Sequence, residues 1–259
     1  MELIKSHKHR SRISEAMYVI LNIALAGVMS AATYVSNAPW IALVLIGVGK
    51  WRIFAVRPRF WAANIIANMV DVLVSLSYVM FLYRMTGYLG VQIALTVLYA
   101  IWLLFIKPRS KYGYIVMQAG TALFLGLTTL SMLAFEWNVA YFVVGAWVIG
   151  YVAAHHVMNK CDEPYNNLYS LTVGLVVAEL GWISFHWMVA YSIPGFESIR
   201  LSQFALFATL ICFVAERAYR SHRQHGEVRR IDIVPPIVFT ALIMLVMFIF
   251  AAIYGSDAL

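Results

Sequence analysis

Residues Phe60–Tyr83 read FWAANIIANMVDVLVSLSYVMFLY, a run of 24 residues with one charged side chain, Asp71. A helix needs about 20 predominantly apolar residues to cross the hydrocarbon core of a bilayer. This stretch is long enough, and its one acid falls near the middle. It therefore predicts a transmembrane helix that carries a carboxylic acid inside the membrane.

The composition extends this prediction to the whole chain. Of its 259 residues, 63% are hydrophobic and 12% are charged, whereas a soluble domain has roughly 45–50% apolar and about 25% charged residues. Eight further apolar runs lie at Ala16–Ser36, Ala38–Ile53, Leu89–Ile106, Tyr112–Ala134, Asn138–Met158, Leu168–Ser192, Leu201–Tyr219 and Ile233–Tyr254. We therefore expect an all-α integral membrane protein, a bundle of about nine transmembrane helices.

The basic residues predict the orientation of this bundle. If the N-terminus is cytoplasmic, 17 of the 19 lysines and arginines fall on the inner side, and only Arg84 and Arg200 fall outside. Inner loops of membrane proteins carry such an excess of cations. We expect a multi-pass protein of the plasma (cytoplasmic) membrane with its C-terminus outside. Its basic inner loops should contact anionic lipid, and their position between apolar runs argues against nucleic acid as a partner.

The run at 38–53 is the shortest of the nine, and it ends in Lys50 and Arg52. Those cations would have to extend to the inner interface. An alternative therefore stays open, in which the first two runs form one re-entrant hairpin and seven spans remain. Both topologies give a basic cytoplasmic tail (1–15), a single transmembrane domain (16–254) and a short outer tail (255–259).

Two carboxylic acids, Asp71 and Glu179, fall inside predicted membrane helices. Each lies eleven positions after the start of its run, at Phe60 and Leu168, so we expect similar depths near the midplane. We expect no lysine or arginine at that depth, and His186 is two turns above Glu179. Ionisable groups inside a bilayer are costly and commonly functional. Asp71, Glu179 and His186 are therefore candidate coupling or cation-binding residues.

Polar residues share a helix face with each acid. Asn64 and Asn68 precede Asp71 at helical spacing, and Trp182 and His186 follow Glu179. Such faces are expensive in lipid, so we expect them to point into the bundle. The candidate cavity-lining residues are Asn64, Asn68, Gln118, Thr121 and Trp182.

A weaker candidate lies at the inner end of the sixth run. His155, His156 and Asp162 are residue types that bind metal ions. A polar helix end at the membrane interface also accounts for them and is the favoured interpretation. We therefore expect no metal and no cofactor.

The midplane acids favour a proton- or cation-coupled transporter of a small molecule. One alternative is a structural or assembly subunit, bound to another membrane protein or to a second copy of itself. Another is a membrane-embedded enzyme that acts on a lipid or lipid-linked substrate. The chain contains no Gly-x-Ser-x-Gly, His-Glu-x-x-His or Walker motif. No catalytic constellation is complete, which argues against the enzyme.

Overall fold

A computed structural model describes residues 12–134, 137–186, 190–193 and 196–254 of the chain. Within these ranges the fold is mainly helical. Its helices are α1 (Arg12–Ser36), α2 (Trp40–Gly49), α3 (Trp61–Arg84), α4 (Leu89–Ile101), α5 (Tyr112–Leu133), α6 (Val139–Lys160), α7 (Asn166–His186), α8 (Gln203–His225) and α9 (Arg230–Tyr254). Residues 1–11 and 255–259, which cover most of the first predicted tail and all of the second, lie outside the described residues.

Seven helices in the described part of the chain are long and apolar enough to cross a membrane. They are α1, α3, α4 with the turn that continues it, α5, α6, α7 and α9. The α2 helix has only ten residues, and α8 carries several charges in its second half. A mainly helical membrane domain is thus supported, while nine crossings and their orientation stay predictions.

A short β-hairpin interrupts the helical pattern between α7 and α8. Strand β1 (Ala190–Ile193) pairs antiparallel with strand β2 (Phe196–Ser202), and Ala190 lies opposite Ser202. The prediction of a continuous helical run to Ser192 was wrong, because α7 ends at His186. Apolar and polar residues alternate from Ile199 to Ser202 with the period of a strand, a signal that overall hydropathy obscures.

The two ends of the bundle differ in charge. We call the end that carries the loops at 107–111, 161–165 and 226–229 the basic end, and the other the hairpin end. At the basic end, Tyr112 Oη donates to Glu216 Oε1 at 2.7 Å and Tyr219 Oη donates to Glu163 Oε2 at 2.5 Å. These bonds join α8 to the start of α5 and to the α6–α7 loop. They hold α8 in the bundle despite its polar second half.

Glycines bring α6 and α7 into close contact. A Cβ atom on Gly174 would lie 2.9 Å from the carbonyl oxygen of Trp147, and one on Gly150 would lie 2.8 Å from Cβ of Val177. Small residues allow membrane helices to approach this closely. The contact fixes the rotation of α7, because Gly174, Val177 and Gly181 must face the bundle.

Candidate functional site

Asp71 forms ion pairs with two lysines, of which Lys50 is largely buried and Lys107 is partly exposed. Its Oδ2 contacts Nζ of Lys50, and Nζ of Lys107 lies 2.9 Å from the same oxygen. The side chains of Lys50 and Asp71 are 14% and 16% exposed, and that of Lys107 is 36% exposed. We call these three residues the Asp71 triad. Asp71 is halfway between Pro58 and Arg84, the ends of a segment that is long and apolar enough to cross a membrane.

The triad corrects the expectation that no cation lies near this acid. The α2 helix ends at Gly49 after ten residues, a length of about 15 Å at 1.5 Å per residue. Lys50 therefore stays beside Asp71, midway along the α3 segment. Lys107 follows the last turn of the fourth helix, and its long side chain reaches back into the bundle. Sequence hydropathy alone assigned both lysines to loops.

The second apolar run forms only a short helix. After α2, the chain forms a 3₁₀ turn at Trp51–Ile53 and continues as irregular backbone. Asn64 Nδ2 donates to the carbonyl of Ile53 at 2.6 Å, and Trp61 Nε1 donates to the carbonyl of Val56 at 3.0 Å. These bonds hold the segment beside the first turns of α3. They supply donors to backbone carbonyls that have no helical partners.

The fourth helix also changes geometry before it reaches the site. Residues Trp102–Ile106 form a π-helical turn, and Gln118 of α5 closes its end. The Gln118 amide donates to the carbonyls of Ile106 at 2.7 Å and Arg109 at 3.0 Å, while its Oε1 lies 2.9 Å from Nε2 of His156. Such π turns recur at functional sites. Gln118 and His156 thus fix the backbone on both sides of Lys107.

Above Asp71, the polar face of α3 is bonded to its neighbours. Ser75 Oγ donates to the Asp71 carbonyl at 2.6 Å and lies 2.9 Å from Oη of Tyr99. The rings of Tyr78 and Tyr99 stack with their centroids 4.1 Å apart. Ser75, Tyr78 and Tyr99 are all buried. This face points into the bundle, as its spacing predicts.

Glu179 lies in a different environment. Glu179, Trp182 and His186 are exposed on the outer side of α7, and the described part of the chain supplies no hydrogen bond or ion pair to the Glu179 carboxyl. Nδ1 of His186 lies 2.9 Å from the carbonyl oxygen of Trp182 in its own helix. The expectation that this face points inward was wrong. The glycine contact with α6 sets the rotation of α7 and turns Glu179 away.

The other predicted residues do not converge on one place. Asn68 Nδ2 donates to the carbonyl of Asn64 at 2.7 Å, and Thr121 is half-buried in α5. His155 is half-buried beside Tyr151, and Asp162 is exposed after the end of α6. Among the described residues, no group of three or more histidines, cysteines or acids could hold a metal ion. A cavity-lining role for Asn64, Asn68, Gln118, Thr121 and Trp182 stays a prediction.

Lys50 and Lys107 are the site residues that sequence reasoning missed. Two signals were present: the second apolar run is too short to carry Lys50 to an interface, and Asp71 needed a cation at its depth. Together, these two signals predict an ion pair between Lys50 and Asp71. Nothing in the sequence pattern indicates that Lys107 turns back toward the same acid.

Comparisons of this chain with models of known families, with curated proteins and with solved structures found no match. A functional assignment therefore depends on the geometry of the Asp71 triad. Two features of that geometry are informative. The triad joins three chain segments, and it contains two cationic groups for one carboxylate.

Proposed function

We propose that this protein is a proton-coupled carrier of a small molecule and that the Asp71 triad is its coupling site. The observation that carries the proposal is the pairing of Asp71 with Lys50 and Lys107 halfway along a membrane-crossing helix. Ionisable residues at such depth commonly mark ion pathways and proton relays. The exposure of Lys107 gives the triad a connection to the basic end.

The charges of the triad favour the proton over a metal ion as the coupling ion. Two ammonium groups and one carboxylate leave one unit of positive charge when all three are ionised. A metal cation approaching Asp71 would be repelled by Lys50 and Lys107. A proton, in contrast, can leave or join a lysine without the binding of any further group.

The backbone around the triad supports a carrier over a rigid scaffold. Carriers commonly build their sites from discontinuous helices whose unwound parts lie inside the membrane. Here α2 stops at the level of Asp71, and α4 passes through a π turn just before Lys107. Lys50 also lies at the C-terminal end of α2, where the helix dipole favours a cation.

The excess positive charge also indicates a class of solute. A small anion would neutralise the triad, because it could pair with the lysine that Asp71 releases. We therefore propose that the transported molecule is an anion and that a proton moves with it. The enzyme hypothesis gains nothing from the geometry, since the described residues assemble no nucleophile–base pair near Asp71.

Proton flux into liposomes tests this proposal. The purified protein is reconstituted with a pH-sensitive dye inside the vesicles, and an inward gradient of phosphate, succinate or chloride is applied with and without a membrane potential. We expect wild-type protein to acidify the interior with at least one anion and Asp71→Asn to lose this activity. Asp232→Asn, which changes an acid at the basic end, should retain it.

Two outcomes would contradict the proposal. In one, Asp71→Asn folds and acidifies the vesicles at the wild-type rate. In the other, wild-type protein that elutes as a single folded species moves no protons under any of these gradients.

A further inference from the structure

The outer face of α7 carries an acid among exposed apolar side chains. Glu179 is exposed there beside Leu175, Val176, Trp182 and Ile183, whose exposed fractions range from 43% to 55%. The opposite side of α7 is closed by its glycine contact with α6. No rotation of α7 within this bundle could bury Glu179 without separating that contact.

Glu179 lies well inside the apolar length of the helix. It comes thirteen residues after Asn166 and seven before His186, or about 20 Å and about 10 Å from the two ends at 1.5 Å per residue. The whole span is about as long as the hydrocarbon core is thick. A carboxyl group at this position would face lipid chains, which offer it neither charge nor hydrogen bonds.

We propose that this face binds a transmembrane helix of a different protein, and that the helix carries a lysine or arginine at the depth of Glu179. Charge complementarity is the reason, because a cation is the group that lets Glu179 stay ionised within the membrane. Trp182 lies one turn away and is 55% exposed. Its ring can accept the same cation on its face, which strengthens the match.

A second copy of this chain fits the face less well. A two-fold axis along the membrane normal would bring the two Glu179 carboxyls together, and like charges in contact repel. A head-to-tail contact would need an exposed cation at the same depth. The lysines nearest that depth, Lys50 and Lys107, are already paired with Asp71.

Designed transmembrane peptides test the proposal on the full chain in lipid vesicles. One peptide is a leucine-rich helix with a single central lysine, and its control has leucine at that position. Association with labelled protein is measured by energy transfer. We expect the lysine peptide to bind wild-type protein at least about tenfold more tightly than the leucine peptide. Glu179→Leu should abolish this difference.

The matched control is Glu227→Leu, which removes the same charge from an exposed position in the basic-end loop. It should keep the full preference for the lysine peptide, and circular dichroism checks that each variant is folded. Equal binding of the two peptides to wild-type protein would overturn the proposal. A preference for the lysine peptide that survives in Glu179→Leu would also overturn it. So would a wild-type dimer that dissociates in Glu179→Leu, because the occupant of the face would then be a second copy of this chain.

Discussion

Nζ of Lys107 lies 2.9 Å from Oδ2 of Asp71, the same oxygen that binds Lys50. One carboxylate thus joins the middle of α3 to the ends of α2 and of the π turn after α4. A buried ion pair is seldom a net source of stability, because desolvation offsets the attraction. The triad is a candidate for function because it lies where two helices are irregular.

The triad should respond unequally to the loss of its members. Asp71→Asn leaves two ammonium groups without a counter-ion, so we expect the free energy of unfolding to fall by about 3–5 kcal/mol. Lys107→Met leaves the Asp71–Lys50 pair intact and removes a partly exposed cation, so a loss of about 1 kcal/mol or less is expected. Denaturant unfolding in detergent micelles measures both. Equal losses would show that Lys107 is as essential to the site as Asp71.

Gln118 should matter more than its partner His156. Gln118→Leu removes the donor to the carbonyls of Ile106 and Arg109, and the loss of each of these part-buried hydrogen bonds should cost about 0.5–1.5 kcal/mol. His156→Phe removes only one partner of the Gln118 side chain. We expect the lower thermal midpoint for Gln118→Leu. A larger effect of His156→Phe would mean that the π turn is not held by Gln118.

The glycine contact between α6 and α7 should not tolerate a methyl group. In Gly174→Ala the new Cβ would lie 2.9 Å from a backbone oxygen of Trp147, which cannot move independently of α6. We expect a loss of about 1–3 kcal/mol from overpacking. Gly120→Ala is the control, since a Cβ there meets no atom within 4 Å and alanine is the better helix former. If both variants unfold alike, the close approach of α6 and α7 is wrong.

Asn64 should hold the irregular segment after α2 in place. Asn64→Ala removes the donor to the Ile53 carbonyl, and the loss of about 1 kcal/mol should speed local amide exchange roughly fivefold. Hydrogen exchange followed by mass spectrometry would report this at residues 51–56. Asn68→Ala is the matched control, because Asn68 bonds only within α3. Similar exchange in the two variants would exclude this role for Asn64.

Sequence patterns predicted the membrane class and the inward polar face of α3, because both depend on local composition and helical period. They did not predict the rotation of α7, which depends on the close contact between Gly150 of α6 and Gly174 of α7. They also assigned Lys50 to a loop, because hydropathy does not reveal that α2 ends inside the bundle. The pairing of Lys107 with Asp71 depends on contacts between distant segments, which periodicity within one helix does not encode.

The most direct test of the proposed coupling site replaces the whole triad by neutral residues. The variant Asp71→Asn, Lys50→Met, Lys107→Met removes every charge together, and neutral replacement of a complete buried ionic group commonly preserves stability. Charge movement after a pH step is recorded from protein adsorbed to a solid-supported membrane. We expect a transient current for wild-type protein and none for the triple variant, although both unfold at similar temperatures. A wild-type current in the folded triple variant would contradict the account, because the protons would then follow a path that does not involve Asp71.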